Sequence, residues 1–459
     1  MYCFSQSDSD GNESIAYGQL QNCNMIAELT ARLSSIISPD INRDEIVKNN
    51  NKAAPSVVAA FCAIAGSTLT ACGGDGSHST TSPQTQVLLS FANETPEIAS
   101  PSKLVLGKDG NFYGTASGGA YNRGAIFKLT PEGVESIVHS FDPSTGDGGE
   151  PAGGLILGND GNFYGTTLVG GTNDFGTVFK VTPEGTESVV YSFKGYPSDA
   201  AWSASGLYQA RDGNFYGTSD FGGPENNGTV FKVSPSGIET VLYSFGSVLN
   251  DPVASFSSLV ESDDGNFYGV SFFGGANDSG AVFKITPEGI LTLMHSFAVD
   301  ASDGGYTFET ALLKGKDGNF YGVAGSGGPK RGGIVYKLTP AGDETIIYAF
   351  GSDTDPIGPA GPDGTLTEDG DGNLYGVTQY GGLPRTVITH HGSSMDGHSG
   401  TIFEITAAGN LVVLSNLGPT DADGTDPSGP PILGPDGSLY GVTSGGGAKS
   451  AGVFYKITR

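Results

Sequence analysis

The chain has 459 residues with 74 Gly, 25 Pro and 10% aromatics, a turn-rich usage with too many large rings for a disordered or collagen-like chain. Its formal net charge of −27 repels a phosphate backbone and excludes nucleic acid as an expected partner. The four cysteines, Cys3, Cys23, Cys62 and Cys72, all precede the main body, which must hold by packing rather than by disulfides or cysteine-bound metal.

In chain order, a basic stretch at Lys48-Asn-Asn-Asn-Lys52 precedes the apolar run Val57–Ala65, which is too short to span a bilayer. The run leads to Leu69-Thr70-Ala71-Cys72-Gly73, which resembles the lipobox of bacterial lipoproteins. The resemblance implies cleavage before Cys72 and acylation of that residue, with several acyl chains making a durable anchor. Residues 1–72 are therefore expected to be a leader carrying a lipoprotein-type signal over 48–72, with translation starting at Val47 in the native product. The alternative is a chance lipobox after an ordinary buried helix. Residues 73–84 read as a flexible polar tether.

Beyond the tether the chain repeats itself. Asp-Gly-Asn recurs at Asp109, Asp160, Asp212, Asp264, Asp317 and Asp371, with Asp436-Gly-Ser as a seventh copy, at steps of 51, 52, 52, 53, 54 and 65 residues. Each copy predicts four strands. Strand A is a short apolar run such as Gly154–Gly158, and Asp-Gly-Asn is the hairpin turn after it. Strand B carries Phe-Tyr-Gly and strand C carries Val-Phe-Lys. Pro-Glu-Gly then turns the chain into strand D, as in Glu187–Phe193. Strands B and D bear large side chains on both faces, so each sheet must be covered on both sides. That is a propeller blade. The seventh copy stops after strand C, at Val453–Arg459, and the missing strand matches Thr85–Phe91 at the front. Residues 85–459 are thus expected to form an all-β, seven-bladed β-propeller whose N-terminal strand completes the last blade.

The pattern Asp-Gly-Asn-Phe-Tyr-Gly, Gly-Gly, Gly-Thr-Val-Phe-Lys-Val-Thr-Pro-Glu-Gly resembles the GloVer tandem repeat of bacterial surface proteins, described as choice-of-anchor proteins. The resemblance covers every unit over about residues 85–459. It implies an exported surface protein and supplies no catalytic residue.

Six residues past the end of strand D lie Glu97, Asp147, Asp199, Asp251, Asp303 and Asp423, with Asp355 at five in the sixth blade. One reading is an acidic ring for a hard cation such as Ca²⁺. The other is that each acid caps its own loop as an Asx-turn. His139 and His295 replace Tyr191, Tyr243 and Tyr348 of the other blades and read as packing substitutions. In the insertion Leu383–Gly400, His390, His391 and His398 with Asp396 form a candidate loop site for Zn²⁺ or acid–base chemistry. The Asp-Gly-Asn copies read as turn chemistry.

The expected function is that of a non-enzymatic cell-surface binding or scaffold lipoprotein. It would take glycan or protein on its variable loop face, where Trp202, Phe221, Phe272, Phe273 and Tyr380 offer stacking surfaces. A monomer is expected, held to the envelope, at the outer membrane or cell surface, by its lipid anchor alone. The alternative is a propeller lyase or hydrolase acting on polysaccharide or a lactone. The streptogramin lyases are similar at repeat level only.

Overall fold

Each repeat folds into four antiparallel strands whose spatial order is the chain order A-B-C-D. In the second blade, A is Gly148–Pro151 and Ile156–Leu157, B is Phe163–Gly170, C is Thr177–Val181 and D is Glu187–Ser192. Strand B lies between A and C, and D is outermost. Seven such sheets make a β-propeller. The computed structural model describes residues 83–459 apart from 93–97, 299, 301, 306, 308–309, 352–357, 383, 389–393 and 419–422, with the backbone alone for 384–388 and 394–398. The expected leader, Cys72, Glu97, Asp355, His390 and His391 lie outside the described residues.

The strand Gln84–Ser90 pairs antiparallel with Val453–Thr458, from Gln84 opposite Thr458 to Ser90 opposite Val453. It is the outermost strand of the seventh blade, so the two ends of the domain share one sheet and the ring is closed. Closure removes the free edge that strand C of that blade would otherwise present.

The repeated Phe-Tyr-Gly follows from packing. A Cβ on Gly165, Gly217 or Gly269 would sit 2.7, 2.6 and 2.6 Å from the ring tip of Phe179, Phe231 and Phe283 on the neighbouring strand C. Only Gly leaves room for that ring. The Tyr before each Gly faces the next blade instead: Tyr113 on Phe163, Tyr164 on Phe215, Tyr216 on Phe267 and Tyr268 on Phe320 have centroids 4.0–4.2 Å apart. Tyr440 on Phe112, at 4.6 Å, repeats the contact across the closure. Such pairs add about 0.5–1.5 kcal/mol each beyond burial. The buried side chains fall into seven clusters, each shared by two adjacent blades. Every blade is therefore held on both faces, which is why its strands are apolar on both.

Candidate functional site

Strand A is predicted as one short run, and the structure breaks it in two. A residue in the left-handed region stands at the same place in six blades: Ser100, Glu150, Trp202, Ala254, Gly361 and Asp426, with φ between 47° and 62°. Five of them are not Gly, and left-handed backbone at such residues is uncommon and concentrates at functional sites. The turn lifts the chain off the sheet, and the residues that follow it line the axis.

They enclose an axial cavity of about 820 Å³, within the roughly 300–1,000 Å³ of ligand sites. Its wall is uneven. Blades two, three and five contribute Ala152, Gly153, Ala204, Gly206 and Ala311 and blade four Phe256 and Ser258, whereas blades six, seven and one contribute Asp363, Gln379, Tyr380, Asp426, Ser428, Ser102 and Lys103. The Lys103 side chain reaches across from blade one, because a Cβ on Gly206 of blade three would lie 3.2 Å from its Nζ. Tyr380 is 56% exposed, a large ring left uncovered at the edge of the cavity.

Asp363 sits on Ala360–Glu368, whose register shifts between Asp363 and Thr367. Gln379 Nε2 donates to its Oδ2 at 2.7 Å and Gly364 N–H to its Oδ1 at 2.8 Å. Desolvation nevertheless dominates and pushes its carboxyl above the usual range, against the lowering effect of those two donors. The cavity thus combines a destabilised carboxylate, an amine, hydroxyls, an amide and one open aromatic face. Strand A carries no apolar alternation here, and the left-handed position is filled by Ser, Glu, Trp, Ala, Gly or Asp, so no residue type marks it in the repeats.

Four of the acidic ring residues, Asp147, Asp199, Asp251 and Asp303, are not among the residues lining this cavity, and the side chain of each is tied to its own loop. Asp199 Oδ2 accepts from Tyr191 OH at 2.7 Å and Lys194 N–H at 2.9 Å, and its Oδ1 accepts from Ala200 N–H at 2.7 Å. Asp147, Asp251 and Asp303 accept in the same manner from the loop backbone, and from His139 Nε2, Tyr243 OH and His295 Nε2 on strand D. The Asp423 carbonyl accepts from Gly447 N–H at 2.7 Å. The two histidines do more than pack: each donates where blades two and three use a tyrosine hydroxyl. Among the described residues, the clusters able to hold a metal combine one ring Asp with a His and a Glu, never two ring acids.

That Glu comes from the next blade and was missed in the sequence. Glu187, Glu239 and Glu344 open strand D of blades two, three and five, and each is set against the ring acid of the preceding blade. Desolvation first, then Asp147, lifts Glu187 to about 7, and desolvation with Asp199 lifts Glu239 to about 8.

The Asp-Gly-Asn turn of blade two is saturated. Asp160 accepts from Asn162 N–H at 3.1 Å, Asn162 Nδ2 at 2.8 Å, Tyr164 OH at 2.9 Å and Lys180 Nζ at 2.9 Å. Gly161, at φ 85°, takes the left-handed corner. In blade six the acid at this point is Asp369, two residues before the expected Asp371: Asp369 accepts from Asn373 N–H, Asn373 Nδ2 and Tyr375 OH at 3.0, 3.1 and 2.8 Å.

The insertion in blade six forms a hairpin, Pro384–Ile388 with Ser394–His398, in which Thr386 is opposite Asp396 and Pro384 opposite His398. The side chains of Asp396 and His398 lie outside what is described. Of the expected stacking aromatics, Phe272 and Phe273 are 7% exposed and pack on each other, and Trp202 packs edge-on against Phe221 at 5.3 Å. Tyr380 alone among the five is open.

The sequence is matched by the Gloeobacter/Verrucomicrobia repeat over residues 69–263 and 250–387. No curated protein shows significant similarity to the chain. Among solved structures, a copper-bound fungal alcohol oxidase of the AA5 family is 11% identical, with a TM-score of 0.50, covering 81% of this chain and 76% of its own. A manganese-bound oligogalacturonate lyase is 13% identical at a TM-score of 0.46, covering 82% and 96%. A protein described as a putative gluconolactonase is 12% identical at 0.37, covering 82% and 91%. At these identities the likeness is one of fold alone.

Proposed function

This chain belongs to the Gloeobacter/Verrucomicrobia repeat family, and from that premise we propose that it is a non-enzymatic binding protein of the bacterial cell envelope. Its ligand is a glycan segment, taken into the axial cavity on the side of blades six, seven and one. The observation that carries this reading is the polar arc that blades six, seven and one contribute to the cavity wall. Sugars are recognised by carboxylate, amide and hydroxyl groups around their hydroxyls and by an aromatic ring against their apolar face. Asp363, Gln379, Ser428 and Tyr380 supply that set. A rigid closed ring suits binding, since little chain must be ordered when the ligand arrives. Cys72, acylated, would hold the propeller at the envelope through the tether, and intact mass of the mature protein tests that part of the proposal. A glycan array followed by calorimetry on its hits tests the binding. Tyr380→Ala should weaken the best hit at least about tenfold, equivalent to roughly 1.4 kcal/mol. Unaltered affinity would remove the cavity from consideration.

A second reading, a polysaccharide lyase or hydrolase, rests on one group. The carboxyl of Asp363, pushed up by desolvation, is the kind of group that can serve as a general acid. Under that reading Asp363→Asn retains glycan binding and abolishes cleavage, and a chain that cleaves none of its array hits is a binder only.

A further inference from the structure

Two of the seven blade boundaries carry the same three residues in the same arrangement. Between blades one and two, His139, Asp147 and Glu187 bring a ring nitrogen and two carboxylate oxygens within 4.8 Å of one another, and between blades four and five His295, Asp303 and Glu344 do the same. The two aspartates are 6% and 8% exposed, and the His and Glu partners are partly buried. Asp147 is well supplied with donors: Gly148 N–H on Oδ1 at 2.7 Å, and His139 Nε2 and Asp142 N–H on Oδ2 at 2.8 and 3.3 Å. The glutamate is less well supplied: Oε1 of Glu187 and Oε1 of Glu344 are buried without a hydrogen-bond partner. Two carboxylates facing each other away from water need a proton or a cation between them.

The boundary between blades two and three serves as an internal comparison. Asp199 and Glu239 are arranged alike there, with Tyr191 in place of the histidine. Burial, reinforced by Asp199, pushes the Tyr191 hydroxyl far above its ordinary range. It stays a donor and offers a cation nothing comparable to an imidazole lone pair, so a proton on Glu239 satisfies that pair. A neutral imidazole beside two carboxylates is, by contrast, a donor set that first-row divalent cations of the zinc class bind well.

We propose that the His139–Asp147–Glu187 and His295–Asp303–Glu344 clusters are two equivalent sites for a divalent zinc-class cation, each clipping one blade to the next. The cation replaces the His–Asp hydrogen bond. Nε2 of the histidine, Oδ2 of the aspartate and Oε1 of the glutamate become its ligands, and water completes the shell. The proton on Nε2 moves to Nδ1, or leaves to solvent if the ring was charged, so loading is proton-coupled.

The comparison also supplies the test. His139→Tyr with His295→Tyr installs the residue already present at Tyr191, Tyr243 and Tyr348, which keeps the hydrogen bond to Asp and removes the metal ligand. Full-length protein stripped with EDTA is titrated with ZnCl₂, following stoichiometry by calorimetry and Tm by scanning calorimetry. The wild type should bind two more equivalents than the double variant and gain Tm with zinc, while the zinc-free melts agree. Glu187→Gln with Glu344→Gln, which keeps both histidines, should lose the same two equivalents and guards against a folding defect in the tyrosine variant. Four other histidines, His78, His390, His391 and His398, are common to all three proteins, so only the difference is read. Equal stoichiometry in the three proteins, or a wild-type melt indifferent to saturating zinc, would overturn the proposal and leave a shared proton as the occupant.

Discussion

Arg459 Nη1 donates to Asp369 Oδ2 at 2.9 Å, joining residues 90 apart in sequence and on adjacent blades. The contact compensates a local exception. In blades one, two, five and seven the turn aspartate is paired with a lysine from its own strand C: Lys128, Lys180, Lys337 and Lys456. Blade six has Glu404 at that position, which cannot donate to a carboxylate. Arg459 reaches in from the seventh blade instead and also contacts Tyr375 OH. Burial would raise the Asp369 carboxyl, but donors from Tyr375, Asn373 and Arg459 outweigh it and hold the group well below the usual carboxylate range.

Arg459→Ala should therefore destabilise the propeller by about 1–2 kcal/mol, because it leaves a carboxylate that is 5% exposed short of its charged donor. The same change at Lys180, whose pair with Asp160 is more open, should cost less than about 1 kcal/mol. Urea melts of the two variants check the ordering.

The pH dependence follows from Glu239. Its folded carboxyl is pushed up to about 8 from an ordinary 4.5, so between those values the unfolded chain has already lost a proton that the fold still holds. Stability must then fall as pH rises across that window, since the unfolded state binds fewer protons. Tm should drop by at least about 2 °C between pH 5 and pH 8, and Glu239→Gln should flatten this part of the profile. The turn acids act at the other end. Asp436 is held at about 2 by Lys456, Ser438 and Tyr440, which outweigh its burial, so its contribution is intact above about pH 4 and lost as pH falls toward 2.

Glycine positions separate into two kinds. A Cβ on Gly217 would meet Phe231 Cζ at 2.6 Å, whereas Gly370 has nothing within 4 Å. Gly217→Ala should cost about 1–3 kcal/mol through overpacking, and Gly370→Ala should be neutral within about 0.5 kcal/mol. Equal effects at both positions would mean that the close approach of strands B and C is not what the repeated Phe-Tyr-Gly encodes.

The architecture was legible because it is written seven times. Phe-Tyr-Gly and Val-Phe-Lys name the two strands that pack on each other, and Thr85–Phe91 announces itself as the strand missing after Val453. Asp369 was hidden by its neighbour: in Asp369-Gly-Asp371-Gly-Asn373 either acid starts a turn, and only the hydrogen bonds of Asn373 decide between them. Glu187 and Glu239 were hidden for another reason. A Cβ on Gly185, in the turn before Glu187, would lie 2.4 Å from the Val138 carbonyl of the preceding blade. The twist of the sheets thus carries each C–D turn onto its neighbour's strand D, and no spacing within one repeat records that. The cavity residues follow the left-handed position in strand A, where side-chain type varies freely from blade to blade.

The account turns on the axial cavity as the place where ligand sits. Ala152 is exposed within it and Ala204 half-buried, so Ala152→Trp with Ala204→Trp fills the axis while leaving the outer loops untouched. Calorimetric titration of this variant with the best array glycan, beside the wild type, is the most direct measurement. A loss of affinity of at least about a hundredfold, with Tm unchanged, is the predicted result. Undiminished binding by the filled propeller would contradict the account and move the ligand to the outer face.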